Sequence, residues 1–98
     1  MEFLVIGRDG DDEGGPSRRA AVRERHLAGI TGMVERGELR YAASIRDESG
    51  VMRGSMLVCE FASREALDGW LDTEPYVTGG VWKSISVEPC ATAPAFRK

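Results

Sequence analysis

At 98 residues and 10.7 kDa, the chain has room for one domain and none for a second. A domain of this length hides roughly 65% of its unfolded surface, enough for a core without metal or disulfide staples. The 13 Lys+Arg against 16 Asp+Glu leave a net charge of −3, which argues against the broad basic footprint of a duplex-binding protein.

Phe3-Leu4-Val5-Ile6, closed by Gly7-Arg8-Asp9-Gly10, reads as a strand buried on both faces. Residues 9–15 are loop by composition, and Pro16-Ser17 signal the start of a helix. That helix is expected over 18–36, with Gly37 in the left-handed stop position. Residues 38–47 alternate, with Leu39, Tyr41, Ala43 and Ile45 on one side, and Asp47-Glu48-Ser49-Gly50 is a turn. Residues 51–61 return as the second arm of a hairpin. Ser63 is placed to cap a second helix carrying Ala66, Leu67, Trp70 and Leu71, and Pro75 breaks it, leaving one short turn before Gly79-Gly80. A last strand is expected over 81–87, with 89–98 as a tail. The order β-α-β-β-α-β predicts an α+β, ferredoxin-like fold with a four-stranded antiparallel sheet, a single domain over 1–98.

Two helices cover only one face of such a sheet. Phe3-Leu4-Val5-Ile6 and Met56-Leu57-Val58-Cys59 are apolar at both parities, so the other face also calls for burial, and a second copy of the chain is the expected cover. The apolar runs are too short for a membrane span, and the first residues lack the basic start of a signal peptide. The expectation is a cytoplasmic homodimer without membrane or nucleic-acid partners.

His26, the one histidine, falls on the apolar arc of the first helix, one turn after Val22 and one before Ile30, at about 100° per residue. It reads either as a core histidine with one polar partner or as a general acid–base. Glu74, immediately before Pro75, reads either as a capping acid or as the carboxylate that orients a histidine. The run Arg18, Arg19, Arg23 and Arg25 reads as a solvated helix face, with Arg23 singled out because its angle falls inside the arc of His26. Two cysteines, Cys59 and Cys90, with one histidine do not make a zinc site. The Asp9–Gly14 stretch imitates a calcium loop, but Ala20 stands where the bidentate Glu belongs. Gly79-Gly80 precedes a strand rather than a phosphate-binding helix. Neither a metal nor a cofactor is expected.

Taken together, Arg23-Glu24-Arg25-His26-Leu27, Gly54-Ser55 with Val58-Cys59-Glu60-Phe61, and Trp70-Leu71-Asp72-Thr73-Glu74-Pro75-Tyr76-Val77 with Gly80-Val81 and Val87-Glu88-Pro89 resemble the YciI-like (YCII-related) family. The resemblance implies a dimeric α/β barrel and a His–carboxylate pair in a pocket beside each sheet. His26 matches the family histidine, and Glu74 stands where the family commonly has Asp, with Asp72 as the other candidate partner. Ser55 and Tyr76 match pocket neighbours. Ala42-Ala43-Ser44 replaces the family's usual Gly-Pro after the second strand.

Two readings stay open at this level. One is a cofactor-independent lyase- or isomerase-like enzyme acting on a small anionic or phenolic substrate. In it His26 and Glu74 are catalytic, and Arg23, Ser55, Tyr76 and Asp72 bind substrate. The other is a non-catalytic dimeric module that binds a small ligand in the same cavity, or serves interaction.

Overall fold

The computed structural model describes residues 1–97; Lys98, the end of the expected tail, lies outside them. In chain order the elements are β1 (Glu2–Asp9), α1 (Gly15–Glu35), β2 (Leu39–Arg46), β3 (Met52–Glu60), α2 (Arg64–Leu71), α3 (Pro75–Thr78) and β4 (Trp82–Cys90), then a 3-10 turn at Pro94–Phe96. The sheet order is β2-β3-β1-β4 with every pair antiparallel, the α+β ferredoxin-like arrangement.

Local chemistry accounts for most boundaries. Gly37, at φ 74°, lets Glu38 N–H reach the Met33 carbonyl at 2.8 Å and Gly37 N–H reach that of Val34 at 3.1 Å, which stops α1. The helix begins at Gly15, earlier than expected, because Pro16 lies in the first turn, where no N–H is required. The Ser63 hydroxyl accepts Ala66 N–H at 3.1 Å and caps α2. Asp47 ties the hairpin turn, its Oδ1 accepting Ser49 N–H at 2.9 Å and Val51 N–H at 3.0 Å.

Two strands depart from expectation. In β2 a bulge at Arg40 puts Leu39 opposite Cys59 and Tyr41 opposite Val58. Leu39 therefore joins the core under the helices, while Tyr41, Ala43 and Ile45 turn to the other face. β4 runs past Val87 and through Pro89 to Cys90, so the tail starts later than residue 89. It is an edge strand, and an edge has a side on which proline's missing N–H costs no ladder bond.

The core lies between helices and sheet. Phe3 and Val5 of β1 and Leu57 and Cys59 of β3 pack with Val22, Met33, Leu67, Tyr76, Val81 and Trp82. Each fully buried aliphatic or aromatic side chain there contributes about 1.5–3 kcal/mol. Trp82 lies so close over Gly7 that a Cβ there would fall 2.3 Å from the indole. A register shift between Arg8 and Asp9 accompanies this contact.

The opposite face carries Leu4, Ile6, Met56 and Val58, all half-buried, and Tyr41, 64% exposed. Residues 91–97 fold back over one end of it. Buried Glu2 holds them, accepting Thr92 N–H at 3.2 Å as well as the Thr92 hydroxyl and the Arg97 guanidinium, with Arg40 Nε at 3.5 Å. The Thr92 hydroxyl bond, ahead of the Arg97 and Arg40 charges, keeps Glu2 below the usual carboxylate range. No helix among the described residues is long and apolar enough to cross a membrane.

Burial pushes the Cys59 thiol up from 9.0 to about 12. The folded state thus holds this proton more tightly than the unfolded chain. Its stabilising effect is whole below pH 9 and is lost as pH rises towards 12. Urea unfolding across that range is expected to show a shallower loss of stability in Cys59→Ala than in the parent protein.

Candidate functional site

α3 begins by bringing a carboxylate inward. Glu74 has extended backbone (φ −67°, ψ 125°), and Pro75 fixes the first helical residue. Its Oε1 accepts Tyr76 N–H at 3.2 Å, and the same oxygen meets His26 Nδ1. Capping and pairing, which the sequence poses as alternatives, are therefore done by one atom. Both side chains are out of water, Glu74 2% and His26 7% exposed, and a buried carboxylate is tolerable only when it accepts such bonds.

His26 is held on its flat side too. Its ring stacks on Tyr76 with centroids 3.8 Å apart and planes 14° from parallel. Trp82 closes the edge at 6.3 Å and 78°. With Nδ1 turned to Glu74, a neutral imidazole donates from Nδ1 and keeps its lone pair on Nε2.

Arg19, two turns before His26 on α1, is the other buried polar centre, at 4% exposure. Its Nε donates to Asp9 Oδ2 at 2.8 Å. One terminal nitrogen donates to the Gly54 carbonyl and to Ser55 Oγ, each at 2.8 Å. The other reaches the Tyr76 hydroxyl at 3.3 Å, and the guanidinium carbon lies 4.6 Å from the centre of the Tyr76 ring. Burial pushes the Tyr76 phenol up from its ordinary value, so it keeps its proton at neutral pH.

Of these groups, Arg19, His26, Ser55 and Tyr76 border a cavity of about 270 Å³ between α1 and the β2–β3 hairpin. Arg19, Arg23, His26, Ser55, Tyr76 and Arg46 supply its polar wall, and Leu27, Ile30, Ala42 and Met52 much of its apolar wall. A larger hollow of about 680 Å³ on the opposite sheet face has neither a histidine nor a carboxylate in its wall.

The arginines exchange the places expected of them. Arg23 is exposed at the cavity rim, whereas Arg19 is the buried one. The reason is a partner: Asp9, with its side chain 3% exposed at the end of β1, compensates the Arg19 charge. Asp72 is also corrected. It is exposed at the end of α2 and does not line the cavity, so it neither pairs with His26 nor faces a ligand there. Sequence reasoning missed Arg19, although it shares the helix stripe of His26, and Arg46, which carried no local signal.

A profile of the YCII-related domain matches residues 1–91. The chain belongs to the YCII-related family. It is 32% identical over 95 residues to protein YciI of Escherichia coli, covering 91% of this chain and 95% of that protein. An uncharacterised Haemophilus influenzae protein is 32% identical over 78 residues, covering 74% of this YCII-related chain and 80% of the relative. Among solved structures, the 5-chloro-2-hydroxyhydroquinone dehydrochlorinase of Burkholderia phenoliruptrix, in complex with 2,5-dihydroxybenzoquinone, superposes with a TM-score of 0.81 at 19% identity, over 97% of this chain and 98% of that one. Rv0793 of Mycobacterium tuberculosis gives a TM-score of 0.55 at 20% identity, over 96% and 99%. At these identities the two structures speak for the shared fold.

Removing Arg19 leaves Asp9 buried without its partner, at a cost of about 3–5 kcal/mol. Arg19→Leu is expected to lose that much in urea unfolding, and adding Asp9→Asn to recover part of it.

Proposed function

We propose that this YCII-related protein is a cofactor-independent acid–base enzyme, lyase- or isomerase-like, acting on a small anionic or phenolic molecule in the cavity beside His26. The observation that carries the reading is the buried contact of Glu74 with Nδ1 of His26, which itself lines that cavity. The carboxylate fixes the tautomer, leaves Nε2 as the basic atom and stabilises the imidazolium once it forms. In an elimination, Nε2 takes a proton from carbon, the freed C–H electron pair becomes the new double bond, and the leaving group departs with its own pair. In an isomerisation the same nitrogen returns the proton to a different atom. Neither route needs an oxidant or a reductant.

Other groups have supporting parts. The Arg23 guanidinium at the rim attracts negative charge on the substrate. Ser55 Oγ and the protonated Tyr76 hydroxyl, both bonded to Arg19, offer polar contacts of fixed direction. The dehydrochlorinase that shares the fold acts on a small oxygenated ring, which supports the substrate class.

The unit of function proposed is a homodimer, with a second copy covering Leu4, Ile6, Met56, Val58 and Tyr41. Sedimentation equilibrium is expected to give twice the monomer mass, and Val58→Lys to give the monomer.

Positioned acid–base catalysis supplies a factor of about 10²–10⁴. In a turnover screen of small phenols, lactones and halogenated hydroquinones, His26→Ala is expected to lose a factor of that order while keeping its circular dichroism spectrum. Glu74→Gln is expected to lose an intermediate amount. Unchanged turnover with reduced stability in His26→Ala would assign the pair to the scaffold, and the protein to non-catalytic ligand binding.

A further inference from the structure

The charge of the cavity wall runs against that of the chain. The protein carries a net −3, yet three arginines and no Asp or Glu line the cavity. Arg19 is neutralised from behind by Asp9, and Glu74 stands behind His26. Arg8, Arg23, Arg25 and Arg46 are the arginines that make no ion pair among the described residues, and two of them, Arg23 and Arg46, border this one cavity.

Arg46 is also weakly engaged. Its Nε is 3.5 Å from Ser44 Oγ and a terminal nitrogen 3.4 Å from the Gly50 carbonyl, both at the outer limit of hydrogen bonding. The paired fork of donors that suits a carboxylate is therefore largely unspent. Arg23 comes from α1 and Arg46 from the end of β2, so the two cations reach the cavity from different elements, with Leu27, Ile30, Ala42 and Met52 supplying apolar surface in the same wall.

We infer that Arg46 is a specificity residue, and that the cavity takes a small planar acid: a carboxylate on Arg46, and a phenolic or enolic oxygen beside Arg23 and His26. This rests on the reading of the cavity as a small-molecule site and adds to it a second anchoring point at Arg46. A neutral ring of the same size leaves the Arg46 charge without a partner.

Two probes differ only in the group at issue: 2,5-dihydroxybenzoate and hydroquinone share the ring and the para hydroxyls. By calorimetry the protein is expected to bind the carboxylate about ten- to a hundred-fold more tightly, the range for a hydrogen-bonded charge. The preference should shrink as salt is raised. Arg46→Gln is expected to bring the two affinities within about twofold, and Arg46→Lys, which keeps the charge without the fork, to restore part of the difference. Equal affinities in the parent protein, or a preference that survives Arg46→Gln, would overturn the role of Arg46 and leave the acid–base reading standing. Binding of neither probe at millimolar concentration would overturn both this inference and the cavity as a site for such rings. Failure of the catalytic reading alone shows instead in the turnover of His26→Ala, a separate measurement.

Discussion

An arginine with almost no access to water is tolerable only if its charge is met and its donors are used, since an unpaired buried ion costs several kcal/mol. Arg19 meets that condition by drawing on three other elements: the Asp9 carboxylate at the end of β1, the Gly54 carbonyl and Ser55 hydroxyl of β3, and the Tyr76 hydroxyl of α3. Satisfying one side chain thus sets where α1 and α3 lie relative to the sheet. The seat of Tyr76 follows, and with it the ring on which His26 stacks.

A second constraint meets the first at Tyr76. Its backbone N–H is held by Glu74 and its hydroxyl by Arg19, so its two ends belong to different networks. His26 lies against the ring between them. The imidazole therefore has its hydrogen-bonding direction set by Glu74 and its plane set by Tyr76, with little rotational freedom left. Such an arrangement lowers the entropy cost of presenting one nitrogen to a ligand, the usual benefit of a preorganised site.

Much of the framework is legible in local residues. Gly37, Ser63, Pro75 and the Asp47–Gly50 turn act within a few residues of themselves, which is why the element order reads directly from the chain. The inward face of His26 is legible for the same reason, with Val22 and Ile30 a turn away on either side. What local reading does not reach is compensation from afar. Arg19 looks like one more exposed arginine until Asp9 is brought beside it. The Arg40 bulge inverts the facing of most of β2, and a bulge follows from pairing geometry rather than from composition. Pro89 reads as a stop because proline interrupts interior strands, and only the edge position of β4 removes that objection.

The sheet order has a consequence for how the chain reaches this state. β1 is an inner strand, yet both of its neighbours, β3 and β4, follow it in the chain. Until residues 82–90 dock, the Phe3–Ile6 run keeps one hydrogen-bonding edge open while carrying apolar side chains on both faces. An unpaired edge of that composition is the feature that draws strands from other molecules. During synthesis the exposure lasts for most of the chain's length. The step most open to aggregation is therefore the wait for β4, and a slow docking of that strand would be felt as poor yield before it was felt as poor stability.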